Sequence, residues 1–132
     1  MSRYSYPAIF SPEEHGGYSI RFPDLEGCYT CGESITDALM MGQDALAFTL
    51  YDYEKEGRKL PTASPPSAIL LNEREFINYI ACDTIEYRKR QNKKTIKKTL
   101  TIPEWLNEAA IERNLNFSQT LQEALIAKIE SL

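Results

Sequence analysis

The last forty or so residues limit the fold most, because they hold three short segments, none of which can bury an apolar face alone. Lys97, Thr99 and Thr101 alternate with Lys98, Leu100 and Ile102 up to Pro103. A period of two predicts a short strand with one polar and one mostly apolar face. Pro103 can open a helix at its first position, where its missing N–H costs nothing, and Glu104 complements the positive end of the helix dipole. This helix is expected to run to about Arg113. Leu106, Ala109, Ala110, Trp105 and the stem of Arg113 lie on one side, with Asn107, Glu108 and Glu112 on the other.

Residues 114–118 read as the break before a second helix, since Asn tolerates a left-handed C-terminal position and Ser118 is of a type favoured as an N-cap. The second helix carries its own stripe of Leu121, Ala124, Leu125, the stem of Lys128, Ile129 and Leu132. A domain this small usually needs oligomerisation, metal or disulfides to fold. A dimer answers the need: two strands pair about a two-fold axis into an antiparallel ribbon, with Leu100 and Ile102 inside. Leu106, Leu121 and Leu125 complete the expected dimerisation surface.

Charge points the same way. Seven of the eleven residues from Arg88 to Lys98 are Lys or Arg and none is acidic, which suits a polyanion. Residues 88–132 carry a net +4 and residues 1–87 a net −8. An acidic front and a basic back suggest two parts with different partners. A merely solvated basic linker is the alternative for the run itself.

A two-stranded ribbon fits the major groove of double-stranded DNA, where Lys donates to guanine and Thr hydrogen-bonds base edges or touches the thymine methyl. The expected DNA-binding set is Lys93, Lys94, Lys97, Thr99, Thr101 and Ser118. In it Lys97, Thr99 and Thr101 read sequence, while Ser118, with the free N–H groups of its helix start, clamps a phosphate or serves as a plain cap. The basic strand, Pro-led helix, short turn and Ser-capped helix together resemble the ribbon-helix-helix family. Asn116 stands where that family often has Gly; Asn can take the same backbone conformation at some steric cost.

The front is a different object. Tyr4 to Phe10 is rich in aromatic and branched residues, Pro12 to Gly17 reads as a turn, and Tyr18 to Phe22 alternates, which predicts a hairpin. Pro23 to Gly27 breaks the chain before a third strand at Cys28–Cys31. Ser34 caps a long helix, with Asp37 three residues on, and Ile35, Ala38, Leu39, Gly42, Ala45, Leu46, Thr49 and Tyr53 form its buried stripe up to a stop at Gly57. A turn-rich stretch follows from Leu60 to Ser67. Ile69-Leu70-Leu71 is expected in the core or at an edge, Phe76 to Cys82 as a strand, and Thr84 to Gln91 as a short helix. The expected fold class is α+β, an antiparallel sheet with one main helix in residues 1–91 joined near Asn92 to residues 92–132.

Tyr6-Pro7-Ala8-Ile9-Phe10, then Gly17-Tyr18-Ser19-Ile20 with Phe22 through Cys28, resembles the opening of HicB antitoxins. Glu33 to Leu39 and the basic stretch at Tyr87-Arg88 fit too, so the resemblance covers essentially the full chain. It implies one half of a bacterial type II toxin–antitoxin pair, whose partner is a HicA toxin, a small basic ribonuclease that cuts mRNA. It also implies repression of the protein's own operon and a partial RNase H-like front domain that covers the toxin. A net −8 domain suits a basic partner. Asp24, Glu26, Glu33 and Asp37 are the toxin-contact candidates, against ordinary service as turn and helix-start residues.

Enzymatic readings fare worse. A nuclease needs carboxylates converging on Mg²⁺, whereas these sit on a turn and a helix start. Cys28 and Cys31, three apart on a strand, point to opposite faces, which argues against shared chelation with Cys82 and His15 unless the strand bends and favours packing thiols. His15 lies in a Gly-rich turn without a partnered nucleophile. No catalytic residue, cofactor or metal is expected. The longest apolar stretch falls well short of the roughly 18 residues a membrane span needs, so a cytoplasmic protein is expected. The partners expected are a HicA-type toxin, operator DNA and a second copy of the chain, as dimer or tetramer. A free-standing repressor whose front domain senses a ligand or oligomerises is the second reading.

Overall fold

The computed structural model describes residues Ser2–Leu132. Two compact units result, Ser2–Lys93 and residues 94–132. In the first, β1 (Arg3–Pro12), β2 (Tyr18–Arg21), β3 (Tyr29–Gly32), α1 (Ile35–Glu56), β4 (Phe76–Asp83) and α2 (Thr84–Gln91) follow in chain order. The strands form one sheet in the order β3-β2-β1-β4, with every neighbouring pair antiparallel. β1 is the spine. It pairs with β4 from Arg3 opposite Asp83 to Phe10 opposite Phe76, and with β2 from Ile9 opposite Arg21 to Pro12 opposite Tyr18.

Strand alternation sends Tyr6, Ala8 and Phe10 to the face covered by α1, where they join Ile20, Ile80, Cys82, Leu46 and Leu50 in the core. Phe10 stacks on Phe76 at 5.4 Å between ring centroids, and Tyr18 meets Phe76 edge-on. Pro7 and Ile9 point the other way and are also buried. α1 starts on a reciprocal cap: the Asp37 N–H donates to the Ser34 hydroxyl at 3.0 Å, and the Glu33 N–H donates to the Asp37 carboxylate at 2.8 Å. It stops at Gly57, whose φ of 66° is left-handed. Gly32 lets the end of β3 run against the first turn of α1, since a Cβ there would overlap the backbone N and Cα of Ala38.

The long connection from α1 to β4 is tied down at two points. The Tyr6 hydroxyl donates to the Pro61 carbonyl at 2.5 Å, and Ser64 donates to Asp24 through both its N–H and its hydroxyl. Ile69-Leu70-Leu71 corrects the expectation of a core or edge segment. Those residues lie in the loop after a single 3-10 turn, with Leu70 92% exposed.

The second unit holds α3 (Glu104–Glu112) and α4 (Phe117–Glu130). Asn114, at φ 54°, makes the left-handed turn out of α3. Residues 92–103 carry no regular secondary structure. The strand expected at residues 97–102 is therefore not formed, since the described residues offer it no neighbouring strand to pair with.

Candidate functional site

The four carboxylates expected to meet a toxin have different duties. Asp24 holds Ser64 and Asp37 completes the α1 cap, so both have local work. Glu26, in the turn between β2 and β3, and Glu33, just before α1, are exposed. Cys28, just before β3 rather than within it, and Cys82 of β4 are buried, whereas Cys31 of β3 is exposed. Burial pushes both buried thiols up, Cys82 to about 12, which leaves them unreactive at neutral pH. Among the described residues no cluster of three His, Cys, Asp or Glu could hold a metal ion.

The basic run divides in two. Arg88 lies 3.1 Å from Glu54, Lys89 2.9 Å from Glu86 and Arg90 3.5 Å from Asp44, all within the first unit. Glu54 is a junction that also accepts from the Tyr4 and Thr84 hydroxyls, each at 3.0 Å. Burial and the neighbouring Glu54 push the Tyr4 phenol up to about 12. Two of the seven cations, Arg88 and Arg90, therefore brace α2 against α1, and Lys89 pairs within α2 itself. Lys93, Lys94, Lys97 and Lys98 lie beyond α2 in the exposed stretch, together with Thr99 and Thr101.

In residues 94–132 only Ala110 is buried. All five residues of the expected dimerisation surface, Leu100, Ile102, Leu106, Leu121 and Leu125, stand exposed, as does Trp105 at 69%. This unit has no core of its own. Ser118 is not the cap of α4, which corrects the sequence reading. Asn116 takes that place, with its side-chain oxygen accepting from the Gln119 N–H at 3.0 Å. Asn caps as well as Ser, and its backbone at φ −82° is ordinary, so the steric cost expected at Asn116 does not arise. The Ser118 hydroxyl, one residue into the helix, accepts from the Gln122 amide at 3.1 Å.

One surface escaped the sequence reading. Tyr29 and Thr30 of β3, Met41, Asp44 and Phe48 of α1, and Tyr87 of α2 line an open groove of about 450 Å³. Met41 and Phe48 fall outside the buried stripe of α1, and their helical spacing was the available signal.

Residues 6–130 match the sequence profile of the family described as HicB-like antitoxin of bacterial toxin–antitoxin system. The chain belongs to the HicB-like antitoxin family. Among curated relatives, Antitoxin HicB 1 of Photorhabdus laumondii is 37% identical over 60 residues, 46% of this chain and 39% of that protein. Antitoxin HicB of Escherichia coli K12 is 32% identical over 60 residues, 46% of this chain and 44% of that protein. The matched stretch thus spans about two-fifths of these curated HicB proteins. A chain of a toxin–antitoxin complex from Streptococcus pneumoniae is similar at 33% identity and a TM-score of 0.62, over 96% of this chain and 99% of that one. The antitoxin HicB of Burkholderia pseudomallei shares the fold at 17% identity and a TM-score of 0.53, over 92% of this chain and 96% of that one. No helix among the described residues is long and apolar enough to cross a membrane.

Proposed function

We propose that this HicB-like protein is a cytoplasmic antitoxin that binds and inhibits a HicA-type mRNA-cutting toxin and represses its own operon. Residues 1–91, read as a partial RNase H-like domain, neutralise the toxin. Residues 92–132 dimerise as a ribbon-helix-helix, and dimers can associate into tetramers. The observation that carries the reading is a family match that runs through both parts, from residue 6 to residue 130.

The second unit supports the DNA-binding part. With Ala110 its only buried residue, and the five expected dimerisation side chains exposed among others, it needs a second copy to make a core. In the paired ribbon Leu100 and Ile102 turn inward, and Lys97, Thr99 and Thr101 meet base edges. Lys93, Lys94 and Ser118 hold backbone phosphates.

The test is to purify this chain with the product of a HicA-type toxin gene from the same genome. Co-purification, and loss of that product's RNA cleavage as this chain is added, are expected. Cleavage that persists at excess chain, with specific binding to upstream DNA intact, would leave a free-standing repressor instead.

A further inference from the structure

We infer that the toxin seats a cationic amphipathic segment in the groove between β3 and the outer side of α1; this rests on the antitoxin reading above. The groove has apolar anchors. Tyr29 is 74% exposed, Phe48 56% and Met41 41%, large side chains left in water around a cavity of about 450 Å³. Aromatic and Met side chains in such a setting are what binding hot spots are made from.

Its charge selects the occupant. On α1, Asp37, Met41, Asp44, Phe48 and Asp52 follow one another at three- and four-residue steps, so they form one outward stripe in which carboxylates alternate with apolar residues. A segment lying along it needs apolar side chains between Lys or Arg, which repels acidic partners and attracts a basic one. Asp44 pairs with Arg90 at 3.5 Å, with both side chains more than half exposed. An exposed pair of that length is weak and can be exchanged for a partner's cation. The adjoining wall is open as well. β3 ends the sheet, and Tyr29-Thr30-Cys31-Gly32 has neither the Lys nor the Pro that commonly blocks an edge.

The test measures binding of the full chain to a purified HicA-type toxin from the same genome, using Phe48→Asp, Asp44→Lys and, as a control on the exposed loop, Leu70→Asp. Phe48→Asp should weaken binding by about a hundredfold, the scale of a lost hot spot. Asp44→Lys should weaken it at least tenfold or so at low salt and less at high salt. Leu70→Asp should bind like wild type, and all three should melt like wild type. Wild-type binding with both groove variants unimpaired would overturn the groove assignment alone. Equal losses in all three would overturn it too, as would variants that change self-association while keeping toxin affinity. No binding by wild type would overturn the groove and the antitoxin reading together.

Discussion

Arg21 and Glu75 meet at 2.7 Å on the sheet face turned away from α1, and a second contact at 3.2 Å makes the pair bidentate. The Ser11 hydroxyl donates to the same carboxylate at 2.6 Å and the Asn72 N–H at 2.8 Å. One side chain thereby joins β1, β2 and the loop that leads into β4.

These donors hold the Glu75 carboxyl down to about 2, the Arg21 hydrogen bond contributing most. A depressed carboxyl favours the fold above its ordinary value near 4.5, and that stabilisation is lost as pH falls from there towards 2. The wild-type melting temperature should therefore drop over this window. In Glu75→Gln the drop should be smaller, and parallel profiles for the two proteins would show that the pair does not link to stability.

Gly32→Ala should destabilise the first unit by about 1 to 3 kcal/mol, the usual cost of overpacking. The new methyl would collide with backbone atoms of Ala38 rather than with a side chain able to swing aside. Urea denaturation checks this, and a neutral result would mean that α1 can shift at little cost.

Asn116 and Ser118 should separate stability from DNA affinity. Asn116→Ala removes the α4 cap and should cost about 0.5 to 2 kcal/mol. Ser118→Ala should leave the melting temperature nearly unchanged and weaken operator binding in gel shifts. Reversed effects would restore Ser118 as the cap.

Thr99→Ala or Thr101→Ala should weaken binding to the operator more than to random DNA, by about 1 to 3 kcal/mol of discrimination per lost base contact. Lys94→Ala should weaken both alike. Equal losses in all three variants would refute the readout assignment.

Leu125→Asp should shift the proposed dimer to monomer in sedimentation, because it places a charge on an exposed apolar surface that the proposal covers with a second copy. An unchanged dimer would mean that the first unit carries self-association.

Much of this was legible from local chemistry. Ser34 with Asp37, Gly57 and the alternation of Tyr18 to Phe22 specify their elements through spacing that acts over a few residues, and the helix from Thr84 to Gln91 sits where the sequence puts it. What stayed hidden depends on distant partners. Arg88, Lys89 and Arg90 read as one basic run with the lysines that follow, until folding sets Glu54 and Asp44 of α1 beside two of them. Ile69-Leu70-Leu71 is apolar enough for a core, but the positions facing α1 are already filled by β1, β2 and β4. Asn116 and Ser118 are both good caps, and the backbone at Asn116 decides between them. The groove needed β3, α1 and α2 to be brought together before Met41 and Phe48 stood out.

The central claim, that this chain neutralises a toxin, is tested most directly by growth. Cells expressing a HicA-type toxin from the same genome alone should arrest, and co-expression of this chain should restore growth. Absence of arrest, or arrest that this chain does not relieve, would contradict the account.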